Sequence, residues 1–107
     1  MLPKKNRADK KAVEKIFKEG RVFNFPFLTF KFILTNNNIP RISFIVPKSV
    51  SKLAVKRNRL RRLGYSVLEK YLKESPAGLM GVFIFKKYQD DILIIGNEIK
   101  NIFAKIN

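Results

Sequence analysis

The chain has 107 residues, no cysteine and no histidine, and 23 Lys+Arg against 8 Asp+Glu, a formal charge of +15. This excludes a disulfide scaffold, thiolate or imidazole metal centres, and acid–base catalysis by histidine. A hydrophobic share of 46%, with ten Phe, excludes wholesale disorder and predicts one domain over 1–107, its residues 1–8 a flexible basic arm.

The predicted elements follow in chain order. Met1 to Arg7 lacks the apolar stretch of a signal peptide, and no apolar run approaches the ~20 residues that span a bilayer, so a soluble, cytoplasmic protein is expected. Asp9 to Glu19 reads as a helix: Asp9 suits the N-cap, Val13, Ile16 and Phe17 recur at helical spacing, and Gly20 ends it. A short strand is expected at Arg21-Val22-Phe23. After Pro26, the segment Phe27 to Leu34 alternates. Leu28, Phe30, Phe32 and Leu34 make a core face; Phe27, Thr29, Lys31 and Ile33 make a mixed one. Asn36 to Pro40 is a turn. Arg41 to Val46 alternates again, with Ile42, Phe44 and Val46 inward and Arg41, Ser43 and Ile45 on the mixed side, so the two strands are expected to pair as a hairpin.

A second helix begins between Ser51 and Val55 and runs to about Leu72, with Leu60, Leu63, Val67 and Tyr71 on its apolar arc. Ser75 to Gly78 is a loop, Leu79 to Phe85 a buried strand, and Asp90 to Ile106 a last helix. Ile92, Ile95, Ile99, Ile102, Phe103 and Ile106 lie at core spacing along it. The order α-β-β-β-α-β-α predicts an α+β fold, a two-layer α/β sandwich with helices packed on one sheet.

Charge is concentrated. Residues 1–62 hold 17 Lys+Arg and 3 Asp+Glu, while residues 63–107 hold 6 and 5. Between Lys48 and Arg62 stand Lys48, Lys52, Lys56, Arg57, Arg59, Arg61 and Arg62, with no acid. An ordinary solvated face interleaves signs; this one does not. On the second helix it becomes a cationic ridge at the end that the helix dipole already makes positive, which costs stability unless an anion docks. Guanidinium forks grip phosphate in two places at once, and Asn58 adds a donor and an acceptor for a base edge or a 2′-hydroxyl. Nucleic acid is therefore the leading partner, since binding phosphates releases counterions. An anionic membrane is the weaker alternative, because there is no lipidation motif and the basic helix has a modest apolar face.

The mixed sheet face is a second candidate surface. Val13 and Phe17 border it beside Phe27, Thr29, Lys31, Arg41 and Ser43. An apolar floor with basic rims suits an extended single strand, whose bases stack while its phosphates meet lysines. From spacing alone, Val13 and Phe17 fit the core better than a cleft. Metal-assisted hydrolysis needs convergent carboxylates, whereas Asp90 and Asp91 suit a helix start and the other acids are scattered. No catalytic residue and no metal site is assigned to this chain, and no obligate protein partner is evident.

The run Val46-Pro47-Lys48-Ser49-Val50-Ser51-Lys52-Leu53-Ala54-Val55-Lys56-Arg57-Asn58-Arg59-Leu60-Arg61-Arg62 resembles the protein component of bacterial ribonuclease P in its strand, its Pro-Lys loop, its Ala-Val step and its Arg-Asn-Arg helix. Leu2-Pro3-Lys4-Lys5-Asn6-Arg7 is similar to that family's basic start, and Ile16-Phe17-Lys18-Glu19-Gly20 to its first helix ending in Phe-x-x-Gly. Val13 stands where a second aromatic is common, and Leu79-Met80-Gly81 replaces a Gly-Met-Asp-like approach to the fourth strand. The resemblance implies a left-handed βαβ crossover and a role in 5′ maturation of precursor tRNA, with catalysis and Mg2+ binding belonging to the RNA subunit. It further implies that Arg57, Asn58, Arg59 and Arg62 touch that RNA, supported by Lys48, Lys52, Lys56 and Arg61, and that the mixed face with Phe17 holds the precursor's 5′ leader. A different RNA-binding protein, such as a ribosomal or assembly factor, is the alternative.

Overall fold

Asp9 starts the first helix as expected: its carboxylate accepts from Ala12 N at 2.8 Å. In the computed structural model, which describes residues 8–36 and 39–106, this helix is α1 (Lys10–Glu19). Of the expected basic arm only Ala8 falls within the described residues. Then follow β1 (Arg21–Asn24), β2 (Leu28–Leu34), β3 (Arg41–Ile45), α2 (Ala54–Tyr71), a 3-10 turn at Leu72–Glu74, β4 (Leu79–Phe85) and α3 (Ile92–Ile106). Gly78, with φ 76°, turns the chain into β4.

The four strands form one sheet in the order β1-β2-β4-β3. The true hairpin is β1–β2, closed by Phe25 N donating to the Leu28 carbonyl. The hairpin expected between β2 and β3 is not formed. β4 lies between them, antiparallel to β2 and parallel to β3. The reason is visible in β4 itself. Leu79-Met80-Gly81-Val82-Phe83-Ile84-Phe85 has no polar side chain, so both its faces need cover and it takes a central place. Phe30, Phe83 and Phe44 stack across β2, β4 and β3 at centroid distances of 4.2 and 5.0 Å.

α2 and α3 cover the face carrying Leu28, Phe30, Phe32, Ile42, Phe44 and Phe83, and together they bury one core. α2 approaches closely because Gly64 meets the Phe44 ring; a Cβ there would fall 2.7 Å from it. α1 lies across the second face, where Ile16 and Val82 are both fully buried. Leu34, expected inward, is 54% exposed at the end of β2, opposite Leu79 where the ladder stops. Ile92, also expected in the core, is 53% exposed, because α3 begins there on its Asp91 cap and only the following turns reach the sheet.

One core contact had no signal in the apolar pattern. Glu98 on α3 is 7% exposed and accepts from Phe27 N and Leu28 N at 3.0–3.2 Å, satisfying amides at the start of β2.

Candidate nucleic-acid interface

α2 begins without a side-chain cap: Leu53 occupies the cap position and no acid stands in the first turn. Its first amides therefore point outward beside Lys56 and Arg57, so partial and full positive charges accumulate together. Lys48, Lys52, Lys56, Asn58, Arg59 and Arg62 are exposed, and Arg57 and Arg61 are half-buried. Their internal ties are few. Arg57 Nη1 donates to the Ser51 and Lys52 carbonyls at 3.0 and 2.9 Å, bracing the loop into the helix. Arg61 donates to Asn58 Oδ1. Arg59 reaches Asp90 Oδ2 at 3.8 Å, an exposed pair of little strength. Lys56 Nζ lies 5.8 Å from the centre of the Tyr88 ring. Arg62 and Asn58 line an open groove with Val55 and Arg59. Carbonyl oxygens, rather than carboxylates, hold Arg57, so its charge is not neutralised.

The second face is read from the register. Lys31 lies opposite Val82, which lies opposite Ser43; Thr29, Ile84 and Ile45 form the next row. Phe17 is 44% exposed, and Lys31 Nζ sits 4.8 Å from its ring centre. Helical spacing favoured the core for Phe17, but Ile16 took the buried position and left Phe17 at the open edge of α1. Val13 is half-buried. Thr29 is half-buried and its hydroxyl donates to Asn24 Oδ1 at 3.0 Å.

The remaining three expected residues are placed differently. Ser43 is covered, donating to the Ala8 carbonyl at 2.8 Å under the segment that leads into α1. Phe27 precedes β2 in a bend and packs against the buried cluster. Arg41 is half-buried, and its Nε is buried without a hydrogen bond among the described residues. Phe17, Thr29 and Lys31 thus share the accessible part of this face. Tyr88 and Ile92, beside the ridge, were missed as surface residues: Tyr88 lies outside the expected elements, and helical spacing puts Ile92 in the core of the last helix.

Among the described residues no three acidic side chains converge as a cation site, and no helix is long and apolar enough to cross a membrane. Fold and surface define a small α+β module for binding a polyanion. Comparison with known proteins narrows that class. The model of the family described as Ribonuclease P matches residues 2–107. The ribonuclease P protein component of Pseudanabaena sp. (strain PCC 6903) is 32% identical over 113 residues, covering 98% of this chain and 94% of the relative. The ribonuclease P protein from Thermotoga maritima superposes with a TM-score of 0.84 at 20% identity, over 94% of this chain and 97% of that one. That of Staphylococcus aureus does so with a TM-score of 0.74 at 19% identity, over 94% of each. The chain belongs to the ribonuclease P protein family.

Proposed function

We propose that this chain is a cytoplasmic, non-catalytic subunit that assists a ribonuclease P RNA in removing the 5′ leader of precursor tRNA. The uncapped, acid-free start of α2 with its cationic ridge carries this reading. It is a surface that gains stability when phosphates dock, and such contacts both position a folded RNA and release counterions. The hydrolysis and the Mg2+ that supports it belong to the RNA subunit. The protein's part is to raise affinity for RNA and substrate. On the other side of the sheet, Phe17, Thr29 and Lys31 fit an extended leader: the ring stacks on a base while the ammonium meets a phosphate.

The test is reconstitution. A bacterial ribonuclease P RNA, a leader-bearing precursor tRNA and the purified chain are combined at low Mg2+. Cleavage at the mature 5′ end enhanced only when both RNA and protein are present is the expected result. Tight RNA binding without enhancement favours a ribosomal or assembly role instead, and cleavage by the protein alone overturns the assignment of chemistry to RNA.

A further inference from the structure

The cationic ridge also carries apolar surface that phosphate binding does not use. Val55, in the first turn of α2, is 79% exposed, and Ile92 at the start of α3 is half exposed. Two grooves run here and share Arg59 and Arg62. One passes over Val55 and Asn58. The other crosses Leu63 and Val67 to Ile92, with Lys70 at its far end. Their volumes are about 410 and 350 Å3, and among the described residues no acidic side chain lines either.

An occupant must therefore be anionic at its edge and flat and apolar at its centre. The backbone of a fully paired duplex offers charge and sugar but nothing to cover Val55, Leu63 and Ile92. A second copy of this chain would bring the same cations against these, which repel. An unstacked nucleobase joined to its own phosphates meets both requirements, since its ring covers apolar side chains while the flanking phosphates reach arginines.

We propose that the furrow between α2 and the start of α3 accepts bases bulged from the RNA partner, with Arg59 and Arg62 gripping the phosphates on either side. This rests on the RNA-binding reading above and adds what fills the groove.

Two labelled RNA hairpins test it, one with a fully paired stem and one with a two-nucleotide bulge in the same stem. The chain is expected to bind the bulged hairpin about tenfold more tightly, the scale of a stacked base. Val55→Ser combined with Ile92→Ser removes that preference and leaves both the affinity for the paired stem and its salt dependence unchanged. Both side chains are exposed, and far-UV circular dichroism with an unfolding midpoint verifies the fold; Ile92→Ser alone, which shows a partial loss, serves if the double variant is unstable. Arg62→Ala weakens both hairpins and flattens the salt slope by about 0.7–0.9. Equal affinity of the parent for the two hairpins, or a preference that survives the double substitution, overturns the base-binding groove while leaving RNA binding standing. A dimer in sedimentation that the same substitutions dissolve overturns it in favour of self-association. Binding of neither hairpin removes the RNA reading as well.

Discussion

Arg57 and Arg59 stand two positions apart on α2 and do different work. Arg57 braces the Ser51–Lys52 backbone, whereas Arg59 is exposed and, among the described residues, tied only to an exposed Asp90. Arg57→Ala should therefore lower both RNA affinity and stability, the latter by about 1 kcal/mol or about 5 °C in Tm. Arg59→Ala should leave Tm within a degree or two and reduce the salt slope of RNA binding by about 0.7–0.9. Thermal melts and binding isotherms at several salt concentrations separate the two; a matching loss of Tm in both variants counts against a bracing role peculiar to Arg57. Phe17 makes the complementary case on the second face. Its exposed ring beside Lys31 predicts that Phe17→Ala weakens binding of a single-stranded leader about tenfold without changing stability. A fall in Tm with leader affinity intact would return Phe17 to the core.

At the scale of elements, α3 does more than cover the sheet. Glu98 reaches from it to the start of β2 and satisfies the amides of Phe27 and Leu28. Lys86 Nζ adds a bond to the Phe25 carbonyl at 3.1 Å, and Lys105 Nζ lies near the Phe23 and Phe25 rings. The β1–β2 turn is thus held by groups distant in sequence. Glu98→Ala removes the acceptor from buried amides and should cost about 2–3 kcal/mol in urea unfolding. Glu98→Gln keeps one oxygen and should cost less than half of that. Equal losses for Ala and Gln would mean that the carboxylate acts through its charge rather than as an acceptor. The same element scale explains the failed hairpin: the alternation in β2 and β3 defined which side chains turn inward, but the inserted partner was set by β4, whose two apolar faces need cover.

Over the whole molecule, the charge of +15 is concentrated in residues 1–62, and residues 63–107 are close to neutral. Binding to RNA should accordingly fall steeply with salt. A logarithmic slope of about −4 or steeper is expected if five or more phosphates are neutralised along α2 and the sheet face. A slope near −1 would mean that most of these cations never meet the polymer. Two faces of one sheet support the two surfaces: α2 presents the ridge from the core side, and α1 borders the strip of Phe17, Thr29 and Lys31 on the opposite side. Under the function proposed above, their separation by the sheet would leave room for a folded RNA on one side and an extended strand on the other.

Element types, the inward residues of β2 and β3 apart from Leu34, the span of α2 and the cationic run were legible in the chain, because periodicity and charge are local properties. The likeness of the Val46–Arg62 run to a known family was legible too, being a matter of residue order. What only the tertiary structure decided were relations between distant residues. β4 separating β2 from β3, Glu98 reaching the amides of Phe27 and Leu28, Ala8 covering Ser43, and Ile92 meeting Arg59 and Arg62 in one groove all join segments far apart in the chain. Spacing along one segment says which side a residue faces; which neighbour waits there depends on how all the layers pack.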